Sequence, residues 1–104
     1  MSPPVAEPLS AERFTPHRGT AFTADPGDGG EPVPLRLDEV TPGRAQPGAL
    51  REDPFTLVFS GPPARPLGQG LYDLSHPVLG AVAIFVVPLG PGSDGRPRYE
   101  AIFN

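Results

Sequence analysis

The sequence predicts an all-β domain, a small antiparallel barrel or sandwich of about six strands with one short helical turn near its start. Three observations predict it. Apolar residues alternate with polar ones over short runs, the period of a half-buried strand. Glycine and proline punctuate the chain between those runs, with 13 glycines and 17 prolines among 104 residues. No segment keeps the 3.6-residue period for more than one turn, so no long helix is expected.

Residues 1–8 hold Pro3, Pro4 and Pro8 and no period, and are expected to be a flexible tail before a single domain over 9–104. Ser10 precedes Ala11-Glu12-Arg13-Phe14 and suits a helix N-cap, its hydroxyl accepting from a free backbone N–H. Pro16 limits this helix to one turn, which Leu9 and Phe14 would pack onto the sheet. Thr20 to Ala24 is a first short strand, and the glycine-rich stretch from Asp25 to Gly30 is a turn. Val33, Leu35 and Leu37 alternate with Pro34, Arg36 and Asp38; Pro34 lacks a ladder donor, so this strand is expected to begin at an edge. Its phase breaks at Glu39-Val40, which fits a bulge. A long loop over 42–54 follows.

Phe55, Leu57 and Phe59 define the clearest strand, closed by Gly61-Pro62-Pro63. The next runs from Leu67 to His76, with Tyr72, Leu74 and His76 on one face and Leu71, Asp73 and Ser75 on the other. Ala81 to Val87 is apolar at every position and predicts a central strand covered on both sides, with either Ile84 or Phe85 in the core. Gly90 to Pro97 is a hairpin loop, and Tyr99, Ala101 and Phe103 form the inward face of a last strand ending at Asn104.

Chemistry-bearing patterns are sparse. The chain has no cysteine and no lysine, and its formal net charge of −4 argues against a nucleic-acid partner. The longest apolar run is far shorter than the roughly 20 residues of a membrane helix, so no membrane span is expected. The start of the chain shows no secretory pattern, which predicts a protein cytoplasmic as synthesised. Asp73, Ser75 and His76 are close in sequence, but a strand sends His76 to the opposite face, so they do not form a catalytic relay. His17 and His76 lie in unrelated segments with no metal-ligand spacing. No catalytic, cofactor or metal site is expected. Gln69, held between Gly68 and Gly70, is a candidate for partner contact, and Tyr72 and His76 are candidates beside it at the mouth of a barrel.

Several segments together resemble one family. They are Leu9-Ser10-Ala11-Glu12-Arg13-Phe14, Phe55-x-Leu57-x-Phe59-x-Gly61-Pro62, Gln69-Gly70-x-Tyr72-x-Leu74-x-His76-Pro77 and Tyr99-Glu100-Ala101-Ile102-Phe103-Asn104. They resemble DUF6916, a family of small bacterial domains of unknown function. The resemblance brings no activity. It implies a structural or assembly subunit of a phage-tail-like or fibrous assembly, beside a tail-collar or fibre-like protein and incorporated into an extracellular or virion-like particle. A non-enzymatic interaction subunit, binding a protein partner or itself through a strand edge or loop, is therefore the leading expectation. The last strand is the expected edge, with Ile102 and Asn104 at the contact. The alternative is a small-ligand or carbohydrate-binding barrel using Gln69, Tyr72 and His76.

Overall fold

The computed structural model describes residues 10–27, 29–43 and 54–103. A four-residue helix, α1 (Ala11–Phe14), runs into a 3₁₀ turn over Thr15–His17. Six strands follow: β1 (Ala21–Ala24), β2 (Val33–Pro42), β3 (Phe55–Ser60), β4 (Gly70–His76), β5 (Gly80–Pro91) and β6 (Pro97–Phe103). They close into an antiparallel barrel in the order β1-β2-β3-β6-β5-β4. The expected tail over 1–8, Leu9, most of the 42–54 loop and Asn104 lie outside the described residues.

Burial follows the period-two pattern. Val33, Leu35 and Leu37 on β2 and Phe55, Leu57 and Phe59 on β3 point inward and are at most 1% exposed. Leu74, Ile84, Val86, Tyr99 and Ala101 complete the far wall of the same core. Phe14 plugs one end, its ring 5.8 Å from Phe55 and 6.3 Å from both Phe22 and Phe103. Phe55 and Phe103 stack at 4.5 Å beneath it. Tyr99 is buried, and its hydroxyl oxygen accepts a 2.8 Å bond from the Leu67 N–H, so the segment before β4 is tied to the core without leaving a polar atom unpaired.

The bulge falls at Asp38: Leu37 registers with Phe59 and Glu39 with Val58, so two β2 residues advance against one on β3. A second register shift, between Pro88 and Gly90, lets β5 run longer than expected, to Pro91. Pro34 sits where a local edge exists. Leu37 exchanges bonds with Gly19 and Thr20 on the β1 side. Alternate residues face the other way, so the nitrogen of Pro34 faces the β3 side, beyond Ser60, where β3 has ended.

Two expectations are corrected. Ser10 has N-cap geometry, but its side chain makes no capping bond; the first turn is closed by Arg13 N–H on the Ser10 carbonyl. The β5 strand is covered on one side only: Ile84 and Val86 are buried, whereas Ala81, Ala83 and Phe85 face out and are exposed. Short alanines carry little apolar area, so an uninterrupted apolar run does not require a second covering layer. The last strand registers with β3 from Arg98 to Phe103 but with β5 only from Pro97 to Glu100, so the sheet closes there while Ala101–Phe103 register with no β5 residue.

Candidate functional site

The side chains singled out in the sequence do not converge. On β4, Tyr72 and His76 share the inward face as predicted, but four residues of strand separate them by about 13 Å. Tyr72 is half-buried near the start of β4 and donates its hydroxyl proton to the Gly68 carbonyl at 2.8 Å. Gln69 is exposed in the preceding loop. The expected barrel mouth formed by Gln69, Tyr72 and His76 therefore does not assemble, because a single strand carries its first and last residues to opposite ends of the barrel.

His76 has a structural job that its turn dictates. It is 8% exposed. Its Nδ1 accepts bonds from the backbone N–H groups of Val78 at 3.1 Å and Leu79 at 3.3 Å, as expected of a turn cap before Pro77. An acceptor Nδ1 fixes the neutral tautomer with the proton on Nε2. Nε2 lies 3.0 Å from Thr20 Oγ1, which donates in turn to the His17 carbonyl at 2.6 Å. The ring packs 4.5 Å from Phe22 and 4.7 Å from the His17 ring. The two histidines, remote in sequence, thus meet at the plugged end of the barrel. Burial first, and the neighbouring His17 second, hold His76 below the ordinary histidine value. Among the described residues no group of three His, Cys, Asp or Glu side chains could hold a metal ion. No described helix is long and apolar enough to cross a membrane.

The outer wall carries the feature that the sequence did not single out as a group. Leu71 registers with Phe85 across β4 and β5, and both point outward, 67% and 50% exposed. On the other side of β5, Val87 registers with Glu100. Two residues along each strand from that pair lie Phe85 and Ile102, on the same outer face. Ile102 is 56% exposed. Three large apolar side chains of three adjacent strands therefore face out at one level, Leu71 and Phe85 as a registered pair and Ile102 two residues past the last β5–β6 pair. Ile102 faces out, as the alternation of the last strand requires. The signal for the whole row was the phase of Leu71, opposite to Leu74, combined with the β4–β5 hairpin register.

Fold and surface together define a small closed six-stranded antiparallel barrel, filled by its own side chains, with Leu71, Phe85 and Ile102 exposed on its outer wall. The sequence model of DUF6916, a domain of unknown function, matches residues 9–103, and the chain belongs to that family. Comparison with curated proteins and with solved structures returns no significant match.

Proposed function

We propose that this protein is a non-enzymatic assembly subunit that packs its barrel wall, through Leu71, Phe85 and Ile102, against a second copy of itself. The exposed row is the observation that carries the reading. Single exposed apolar residues are ordinary on protein surfaces, whereas a contiguous patch marks an interaction site. The row also suits a copy of itself. Leu71 and Ile102 flank Phe85 on the strands either side, so a two-fold axis along β5 lays ring on ring and Leu71 on Ile102 of the second copy. A tail-like or fibrous assembly, as the family resemblance implies, is a setting that holds copies at high local concentration, where a weak pairwise contact forms.

Magnitude fixes the conditions. A stable interface takes about 800 Å² from each partner, and three side chains supply only part of that. Association in dilute solution is therefore weak, and because a two-fold contact closes on itself it stops at two copies. Copies with a net charge of −4 repel one another. An apolar contact between them strengthens as salt rises from about 0.05 M to about 0.5 M and screens that repulsion.

Sedimentation equilibrium up to about 1 mM protein tests this. The average mass of the parent should rise with concentration and salt above the 10.9 kDa of one chain. Phe85→Ser and Ile102→Ser should stay at one chain's mass. A parent that remains at that mass throughout, or variants that associate as the parent does, would overturn the proposal.

A further inference from the structure

A second surface feature, built from other residues than the apolar row, lies on the neighbouring stretch of wall and shares β6 with it. Arg36 registers with Ser60, and Ser60 with Arg98, so arginine, serine and arginine stand side by side on β2, β3 and β6, all outward. The β5–β6 turn folds back over this row. It is held by Gly92 N–H on the Arg96 carbonyl at 2.9 Å and by Arg96 N–H on Asp94 Oδ1 at 3.0 Å. A side chain at Gly92 would place its Cβ 2.7 Å from Arg98 Cδ, so the arginine would have to shift where the turn crosses it. The result is a cleft of about 280 Å³ lined by Arg36, Asp38, Ser60, Ser93, Asp94 and Arg98.

Two polar atoms in this row are anomalous. Ser60 is 2% exposed although it points outward, and its Oγ has no hydrogen-bond partner. Arg98 Nε is likewise buried without one, while the end of the same guanidinium donates to Glu39 at 3.1 Å. Buried polar atoms are nearly always paired, because leaving one unpaired costs about 1–3 kcal/mol. An orphaned hydroxyl and an orphaned guanidinium N–H in one row, covered by a turn that crosses it closely, have the makings of a recognition site.

The chemistry of the lining selects the ligand. Arg36 and Arg98 are cationic and Asp38 and Asp94 anionic, so the lining side chains sum to zero charge. Arg36 donates to Asp38 at 2.7 Å, and this bond, with further help from Asp94, raises its already high basicity. An oxyanion would meet both carboxylates, and a metal cation would meet both guanidinium groups. A neutral ligand rich in hydroxyls satisfies both sets at once, since each hydroxyl accepts from a guanidinium or serine and donates to a carboxylate. We infer that the cleft binds a neutral polyol, the vicinal hydroxyls of a single sugar ring, with Ser60 Oγ and Arg98 Nε as its innermost partners. The volume lies just below the usual range of about 300–1,000 Å³ for ligand sites, so only a small ligand is accommodated.

The test is an amide NMR titration of the parent, of Phe85→Ser and of Ser60→Ala with D-glucose, D-galactose and L-rhamnose to about 100 mM, and separately with sodium phosphate. At least one sugar should give saturable shifts at Arg36, Ser60 and the 93–98 turn, equally in the parent and in Phe85→Ser. Ser60→Ala removes a hydroxyl that has no protein partner, so its melting temperature should match or exceed that of the parent. Its affinity for that sugar should fall about fivefold or more. The inference is overturned by no saturable shift with any of the three sugars, by saturation with phosphate alone, or by Ser60→Ala binding as the parent does. A melting temperature lowered by many degrees in Ser60→Ala would also overturn it, since the hydroxyl would then have a partner within the protein.

Discussion

Phe59 and Phe85 are the same side chain on opposite faces of the barrel wall, and truncating each to alanine measures what the wall separates. Phe59 is 0% exposed and meets Phe22 edge to face at 5.5 Å. A phenylalanine buries about 150–250 Å², which at about 25 cal/mol per Å² is roughly 4–6 kcal/mol as an upper bound. Measured core truncations of this kind cost about 3–5 kcal/mol, including the cavity that remains. Phe85 is 50% exposed, so half of that area is already in water, and solvent fills the space its ring vacates. On the same upper bound its truncation should cost about 2–3 kcal/mol. A domain of this size loses about 4–8 °C per kcal/mol, so Phe59→Ala should melt at least about 12 °C below the parent. Phe85→Ala should stay within about half of that loss. Urea denaturation followed by far-UV circular dichroism gives both values, provided the slope with denaturant is unchanged. Equal losses for the two variants would refute the assignment of Phe85 to the outside and, with it, the register of β4 on β5.

His76 predicts a pH dependence. Its folded value lies below the 6.5 of the free side chain, so the native state holds it neutral while the unfolded chain takes up a proton first. Stability is full above about pH 6.5 and falls as pH drops below it, by at most about 1.4 kcal/mol per pH unit, levelling below the folded value. Replacing His76 with Gln should flatten that part of the profile; a slope unchanged in the variant would assign it to another group. Gly61→Ala should cost about 1–3 kcal/mol by thermal melting, because the new Cβ would lie 2.9 Å from Leu35 Cδ2 and 3.3 Å from Tyr99 Cε2. A neutral result would mean that Leu35 moves aside freely. Glu39→Gln should change stability by no more than about 1 kcal/mol, since the bond from Arg98 to Glu39 is on the surface and Glu39 is 60% exposed; a larger loss would mean that the ion pair holds the β5–β6 turn in place.

Local pattern made most of the strands legible. The alternation of Phe55, Leu57 and Phe59 needs no partner strand to be recognised, and the break in phase near Glu39 located the bulge to within a residue. Runs apolar on both faces are silent about direction, which is why Ile84 and Phe85 could not be told apart until the hairpin register paired Phe85 with Leu71. Closure was illegible for a related reason. It depends on Thr23 meeting Ser75 and Ala24 meeting Leu74, and no local residue preference specifies so distant a pairing. The Arg36–Ser60–Arg98 row and the meeting of His17 with His76 are likewise products of register between remote segments. Tyr72 and His76 shared a face in the sequence, but strand rise, not face, set their separation.

The join between β1 and β4 is the narrowest in the barrel, two registered pairs extended by one further bond from Asp25 N–H to the Asp73 carbonyl. Every other neighbouring pair of strands has at least four registered pairs. The hairpins β4–β5 and β5–β6 close over short turns and incur little loop entropy, whereas the β1–β4 join ties together residues some fifty positions apart. Folding is therefore expected to proceed from the local meander toward this join, with the docking of β1 on β4 a late step. In the native state the same place is the least costly to open. Amide exchange at β1 and the adjoining edge of β4 should proceed through a partial opening, while β3 and β6 exchange only when the whole molecule unfolds.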